Sequence, residues 1–149
     1  MRTLLALDPG ESTGWSMWEY GDDTPLRCLD HGTILFGLKG FIKWWGENRW
    51  HMLADEVVCE SFILDGRTVK PNVTPLQIEG ALAVLWGDTA YQRNTYKAHA
   101  PDEFLKAQGL WWKGKGHDRD SARHAFAYVK TRKHMPSLLH YWPPLPIAA

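Results

Sequence analysis

LLALDPGESTGW, residues 4–15, carries an apolar run into a carboxylate and then a turn. The run Leu4–Leu7 is too continuously apolar for a half-exposed strand, so it predicts a strand buried on both faces at the centre of a sheet. Asp8 stands at the end of that strand, and the Pro-Gly pair after it predicts a turn into a second strand, residues 15–20. A carboxylate at the end of a core strand has to stay solvated, be paired or bind a metal.

The composition is typical of one globular domain. The chain has 149 residues, of which 44% are hydrophobic and 23% charged, and this length is enough to bury a core. Its two cysteines have no metal-binding or redox spacing, no signal peptide is recognisable, and no apolar run reaches the roughly 18 residues of a membrane span. We therefore expect a cytoplasmic protein. The nine tryptophans suit either core packing or stacking on bases.

The charge is zero overall but unevenly distributed along the chain. Residues 1–92 carry 7 Lys and Arg against 13 Asp and Glu, whereas residues 93–149 carry 10 against 4. A net charge of zero argues against a general polyanion binder. The distribution leaves two interpretations open, which are a dipolar surface of no consequence and an acidic metal site beside a phosphate-binding face.

The elements after the first strand pair predict a second carboxylate at the same edge of the sheet. Residues 26–36 predict a third strand, and the aromatic spacing in residues 37–53 predicts an amphipathic helix. A second buried run, residues 56–59, then ends in Glu60. If the first and last of these strands are parallel neighbours, as a helical crossover allows, Asp8 and Glu60 emerge at one edge.

The rest of the chain predicts an α/β domain that ends in a proline-rich tail. Thr74 and Gly87 are suited to cap the two ends of a helix over residues 75–86. We expect one domain over residues 1–134 and an extended or partly disordered tail over residues 135–149. The other predicted elements are a loop over 61–74, a strand over 94–98, a helix over 101–108 and a last helix over 117–134.

Two loops are candidates for contacts with nucleic acid. The loop over 61–74 contains Phe62, which by default anchors the loop to the core and alternatively forms a wedge in a nucleic-acid junction. The glycine-rich segment 109–120 suits phosphate contacts and a solvated connection equally well. The candidate cations of the two loops are Arg67, Lys70, Lys113 and Lys115.

Three separated places offer carboxylates for a metal site. Asp8 and Glu60 end strands, and Asp118 and Asp120 start the last helix beside His117. Hard oxygen ligands on rigid elements suit Mg²⁺ or Mn²⁺ better than zinc. On a helix the two aspartates point to different sides, and both also favour the helix N-terminus, so periodicity does not choose between them.

These motifs together resemble the RuvC family of Holliday-junction resolvases. The resemblance is carried by DPGESTGW at residues 8–15, by the glutamate that closes the next buried strand, and by HDRDSARHA at residues 117–125. The three motifs occur in the family's order and span the chain. The small size and the short, tryptophan-rich basic region resemble the bacteriophage branch, which would place the protein in the cytoplasm of a bacterial host.

The resemblance implies a fold, an activity and a set of residues. The fold is ribonuclease H-like, with a mixed five-stranded sheet flanked by helices. Asp8, Glu60, His117 and Asp120 would be the catalytic, metal-binding residues for Mg²⁺ or Mn²⁺. Phe62 would take the position of the family's junction-probing aromatic residue. The expected protein is a homodimer whose paired sites nick two opposed strands of a four-way junction.

Two other classes of function fit parts of the sequence. The first turn also resembles the phosphate-binding loop of the actin-like and sugar-kinase phosphotransfer enzymes, but those enzymes need a second, repeated domain. A non-catalytic DNA-binding module is the other alternative. The complete set of carboxylates argues against it, because acidic groups facing phosphates do not help a protein that only binds DNA.

Overall fold

The apolar run near the N-terminus forms the central strand of a five-stranded sheet in the computed structural model, which describes residues 1–48, 54–62 and 72–145. The sheet order is β3-β2-β1-β4-β5. Leu4–Leu7 is fully buried, as the sequence predicts. The strands are β1 (Arg2–Asp8), β2 (Thr13–Tyr20), β3 (Arg27–Ile34), β4 (Glu56–Glu60) and β5 (Ala90–Gln92).

The pairing of the strands brings the ends of β1 and β4 to one edge. β1 and β2 are antiparallel with Asp8 opposite Gly14, and β2 and β3 continue the antiparallel meander. β4 lies parallel to β1, with Leu7 opposite Cys59, and β5 lies parallel to β4. The strand that follows the crossover therefore ends where β1 ends, which confirms the predicted shared edge.

Helices cover both faces of the sheet. The side chains of Leu4, Ala6 and Val58 pack against α4 in one core, and those of Leu5 and Leu7 pack with α1 and α2 in the other. Within the described ranges, no helix combines the length and the apolar character needed to cross a bilayer. The helices are α1 (Gly37–Glu47), α2 (Thr74–Leu85), α3 (Asp102–Ala107), α4 (His117–Thr131) and α5 (Met135–Tyr141), and Asn94–His99 forms a 3₁₀ helix.

The first predicted helix and the strand predicted over 94–98 differ from the structure. α1 ends at Glu47, because both the backbone N–H and the side-chain amide of Asn48 donate to the carbonyl of Trp44 and cap the helix; residues 49–53 lie outside the described part of the chain. The predicted strand over 94–98 is a 3₁₀ helix, and β5 precedes it. β5 ends at Gln92, which pairs with Glu60, the last residue of β4.

The tail predicted to be extended is helical over residues 135–141. Pro136 lies in the first turn of α5, where a missing N–H costs no helical hydrogen bond. Ser137 is buried and its hydroxyl accepts a hydrogen bond of 2.9 Å from the backbone N–H of Leu26. Trp142 stacks on Phe104 with ring centroids 5.2 Å apart. Aromatic packing and a buried hydrogen bond thus hold a segment whose prolines indicated an irregular chain.

Candidate active site

Three carboxylates surround the ammonium group of one lysine at the edge where β1 and β4 end. Lys97 Nζ lies 3.3 Å from Glu60 Oε1, 3.6 Å from Asp120 Oδ2 and 3.9 Å from Asp8 Oδ2. The two strands carry Asp8 and Glu60, α4 carries Asp120, and the 3₁₀ helix carries the lysine. We call these four residues the carboxylate cluster. Ion pairing joins side chains from four separate elements, so the overall fold has to be in place before the cluster exists.

A close contact between β2 and α4 positions the third carboxylate. A Cβ atom on Gly14 would lie 1.8 Å from the backbone carbonyl oxygen of His117, so only glycine permits this approach. Gly14 is also the residue paired with Asp8 across the first turn. The first turn of α4 is thereby held against the end of β1, and Asp120 follows in that turn.

Burial and mutual repulsion shape the ionisation of the cluster. Burial, followed by the neighbouring Glu60, raises the pKa of Asp8 far above its usual range. Burial alone would also raise the pKa of Glu60, but the nearby His124, Asp8 and Lys97 outweigh it and hold this pKa below its usual range. Burial opposes the charge on Lys97, yet the surrounding carboxylates raise its pKa. Glu60 thus disfavours the ionisation of Asp8, whereas Lys97 favours the ionisation of both carboxyl groups.

A buried histidine points at the same carboxylates from α4. His124 is fully buried, and its Nε2 lies 3.8 Å from Glu60 Oε1, with no hydrogen-bond partner in the described part of the chain. The Gln92 amide satisfies its neighbours when its nitrogen donates to His124 Nδ1 at 2.8 Å and its oxygen accepts from the backbone N–H of Tyr128 at 3.3 Å. That arrangement places the imidazole proton on Nε2, on the side of Glu60.

The two aspartates at the start of α4 have different partners. Asp120 belongs to the carboxylate cluster and also accepts from Arg123 at 3.1 Å. Asp118 is buried and pairs with His31 Nδ1 on β3 at 2.9 Å. His117 supplies the backbone that contacts β2, and within residues 1–48, 54–62 and 72–145 its side chain forms no hydrogen bond or ion pair with the cluster. These contacts bring Asp120, and not Asp118, into the carboxylate cluster.

The residues predicted to bind DNA differ in their position relative to the carboxylate cluster. Phe62 lines a cavity of about 560 Å³ that also includes Glu60 and Lys97. Lys113 and Lys115 are exposed on the loop before α4. Arg67 and Lys70 lie outside the described residues. Phe62 is therefore the one of these candidates that the structure brings beside the cluster.

Sequence reasoning missed three members of the site, which are Lys97, His124 and Gln92. Lys97 lies in the segment predicted to be a strand, although its position soon after the end of a third parallel strand indicates the same sheet edge. His124 and Gln92 are buried polar residues, and the sequence signal for them is weak, because each partner lies far along the chain.

The donor atoms of the cluster suit a hard divalent cation. Three carboxylates from rigid elements surround one positively charged group, which is the environment that Mg²⁺ or Mn²⁺ prefers. As the side chains stand, no group of three His, Cys, Asp or Glu within the described ranges is arranged as a ready-made metal site. Lys97 takes the central position, so a metal would have to replace its ammonium group among these oxygens.

Comparisons with known proteins identify the fold. No protein-family model matches the sequence, and no curated protein matches it. RuvC of Thermus thermophilus in complex with a Holliday junction substrate superposes with a TM-score of 0.66 at 12% identity, over 90% of this chain and 97% of that one. A second structure of Thermus thermophilus RuvC has a TM-score of 0.63 at 14% identity, over 89% and 97%.

A resolvase from a virus also has a fold similar to that of this chain. The fowlpox virus Holliday junction resolvase has a TM-score of 0.57 at 11% identity, over 87% of this chain and 99% of that one. All three structures cover most of the chain, with the mixed five-stranded sheet and its helices. The chain therefore has the ribonuclease H-like fold of the RuvC Holliday-junction resolvases.

Proposed function

We propose that this protein is a divalent-metal-dependent endonuclease that cuts branched DNA and resolves four-way junctions. The observation that carries the proposal is the convergence of Asp8, Glu60 and Asp120 on one cationic centre. This cluster lies in a fold shared with structures described as RuvC and as a Holliday junction resolvase. A protein that only binds DNA would have no use for three acidic groups at a phosphate-binding edge.

The residues of the cluster have separate roles in this proposal. Asp8, Glu60 and Asp120 would hold Mg²⁺ or Mn²⁺, which when bound would activate a water and stabilise the leaving oxygen of an in-line phosphodiester cleavage. Asp8 has to be ionised to act as a ligand, and burial beside Glu60 opposes that ionisation by raising its pKa. His117 remains a candidate for a fourth ligand or a proton carrier.

Two groups that the sequence did not reveal would support these ligands. His124 directs Nε2–H toward Glu60 from a buried position, which limits the rotation of that carboxylate. Lys97 offsets part of the negative charge of the cluster before metal binds and would contact a phosphate oxygen once it is displaced. His124 acts through Glu60, so we assign it a positioning role.

DNA binding in this proposal depends on the basic C-terminal portion of the chain. Lys113 and Lys115 are exposed on a glycine-containing loop that can approach a phosphate backbone closely. Phe62, in the cavity beside the cluster, would contact the bases at the branch point. Two copies of the chain would place two sites on opposed strands. Affinity should fall steeply with salt, because phosphate contacts supply most of it.

The test is cleavage of a synthetic mobile four-way junction beside matched duplex, flap and Y-shaped DNA, with Mg²⁺ or Mn²⁺. The variants are wild type, Asp8→Asn, and Asp88→Asn as a matched control on an exposed aspartate. We expect symmetric nicks in the junction for wild type and the control. Asp8→Asn should still bind the junction without cutting it.

Other outcomes would contradict defined parts of the proposal. Equal cutting of all branched forms would refute the preference for junctions and leave general branch cleavage. Binding without metal-dependent cutting of any form would refute the nuclease and favour a DNA-binding module. Hydrolysis of ATP in place of DNA cleavage would favour a phosphotransfer enzyme.

A further inference from the structure

An exposed aromatic side chain stands in a strained turn between β3 and α1. Phe36 is 82% exposed, and its backbone has φ 72° and ψ 36°, in the left-handed region. Leu35 beside it is 54% exposed. A bulky residue in this conformation is a true outlier, and single scattered apolar residues on a surface seldom carry such strain.

The neighbouring residues are specialised to allow this turn. Gly37 also has a positive φ of 55°. A Cβ atom on Gly40 would lie 1.6 Å from the carbonyl oxygen of Leu35, so glycine is required there. The backbone N–H of Gly40 donates to the Phe36 carbonyl at 3.0 Å and holds the turn closed. Glycine or asparagine at position 36 would form the same turn with less strain, so the turn itself does not need a phenyl ring.

The turn lies at the sheet edge that carries the carboxylate cluster. Ile34 at the end of β3 pairs with Thr13 at the start of β2, and Gly14 pairs with Asp8. Two strand spacings of about 4.8 Å therefore separate the end of β3 from Asp8, a distance of about 10 Å, and Phe36 lies two residues beyond Ile34. The Gly37 N–H donates to the carbonyl of Glu11 at 2.9 Å, which ties the corner to the turn that follows Asp8.

We propose that Phe36 stacks on a nucleobase of DNA bound at this edge, within a few nucleotides of the phosphate at the cluster; this inference depends on the proposed DNA cleavage. A flat, rigid and solvated ring on a fixed turn is suited to stacking, which tolerates any base. Lys39 is exposed one helical turn later and adds a cation for the adjoining backbone. The rest of the fold offsets the free energy lost to backbone strain, so the ring is held at this position before DNA binds.

Phe36→Asn is the informative substitution, because asparagine accepts the left-handed conformation and removes the ring. Phe36→Trp keeps an aromatic side chain, and Ile42→Gln removes an apolar side chain of α1 that is 50% exposed. Each protein is titrated, in Ca²⁺ to prevent cutting, against four-way junctions that carry 2-aminopurine at successive positions around the cleavage point. Anisotropy measures affinity, 2-aminopurine emission measures unstacking, and thermal melting measures stability.

The expected pattern separates a role in binding from a role in folding. Phe36→Asn should bind the junction about tenfold more weakly, the size expected for one lost base stack. It should also abolish the emission change at one position and melt at the same or a higher temperature. Phe36→Trp and Ile42→Gln should bind as wild type does.

Four results would overturn the inference. Wild-type affinity in Phe36→Asn would refute it and leave the nuclease proposal standing. A lower melting temperature with unchanged DNA binding would show that the ring has a structural role. Sedimentation that shows a dimer dissociating in Phe36→Asn, with affinity restored at high protein concentration, would assign the ring to the contact between two copies. Failure of wild type itself to bind branched DNA would refute the proposed function as well.

Discussion

Replacing Lys97 by methionine tests whether the folded chain needs the cation at the centre of the carboxylate cluster for its stability in the absence of metal. Methionine keeps most of the length of the side chain and removes its charge. The ammonium group lies 3.3 to 3.9 Å from oxygens of Asp8, Glu60 and Asp120. At an effective dielectric constant of about 20, each such pair attracts with about 4 to 5 kcal/mol before desolvation is subtracted.

The net effect on stability is smaller than the sum of these attractions. Removing one partner of a buried ion pair typically costs about 3 to 5 kcal/mol. The side chains of Lys97 and Asp120 are 23% and 34% exposed, which weakens their interaction. The raised pKa of Asp8 opposes its ionisation, which weakens its attraction for the ammonium group. We therefore expect Lys97→Met to lower the free energy of unfolding by about 2 to 4 kcal/mol in the absence of metal.

The assay is denaturant unfolding of wild type and Lys97→Met with EDTA and with Mn²⁺. The control is Lys43→Met, whose side chain is 75% exposed and lies 4.0 Å from Glu47; an exposed pair of this kind contributes about 0 to 1 kcal/mol. Mn²⁺ at a hundred times its Kd stabilises a folded protein by about 2.7 kcal/mol. The gap between Lys97→Met and wild type should narrow with Mn²⁺, because the ion replaces the missing charge without having to displace a lysine.

Equal stability of the two proteins in EDTA would refute the reasoning. A gap that Mn²⁺ leaves unchanged would also refute it, since the lysine and the metal would then not compete for the same oxygens.

Three further predictions concern the start of α4, the hydroxyl group of Tyr128 and α5. Asp120→Asn should abolish cleavage without unfolding the chain, whereas Asp118→Asn should lower the melting temperature and keep cleavage; the reverse would exchange their roles. Burial and a hydrogen bond to a glutamate raise the pKa of Tyr128 from 10.0 to about 12. Its contribution to stability should therefore be complete below pH 10 and be lost between pH 10 and 12, and the slope of unfolding free energy there should be smaller in Tyr128→Phe. Ser137→Ala should cost about 1 to 3 kcal/mol in denaturant unfolding, because a buried N–H loses its acceptor.

The edge with two carboxylates could be predicted because its cause is local. The continuous apolar runs before Asp8 and Glu60 each predict a buried strand, and the helix between them favours a parallel pair. The pairing of Leu7 with Cys59 confirms that arrangement. The rule that a helical crossover joins parallel strands was enough to predict this pairing, without any side-chain detail.

The choice between the two aspartates could not be made in the same way. It depends on the rotation of α4 about its axis, which the contact between Gly14 and the backbone of His117 fixes. The partner that takes Asp118 out of the cluster is His31, which lies 87 residues away on β3. Long-range contacts of this kind leave no periodic signal in the sequence.

The elements that the sequence missed share one cause, which is that tertiary contacts outweigh local preference. Lys97 lies on a 3₁₀ helix that begins two residues after the end of β5, and its ammonium group is paired with carboxylates from β1, β4 and α4. α5 contains a proline and yet forms, because Ser137 and Trp142 have partners in the core. Propensity weighs little in segments of six or seven residues, so their conformation follows from what they pack against.

The uneven distribution of charge along the chain has a local counterpart in the cluster. The acidic N-terminal part supplies Asp8 and Glu60, and the basic C-terminal part supplies Lys97 and Arg123. Arg123 also forms an ion pair with Asp120. Lys97 and Arg123 offset the charges of Glu60 and Asp120, and the raised pKa of Asp8 opposes a further negative charge at this edge. In the proposed nuclease, a divalent cation that displaced the lysine would add positive charge at the point where a phosphate has to be held. The same charges would then stabilise the folded chain without metal and make the proposed affinity for DNA depend on metal.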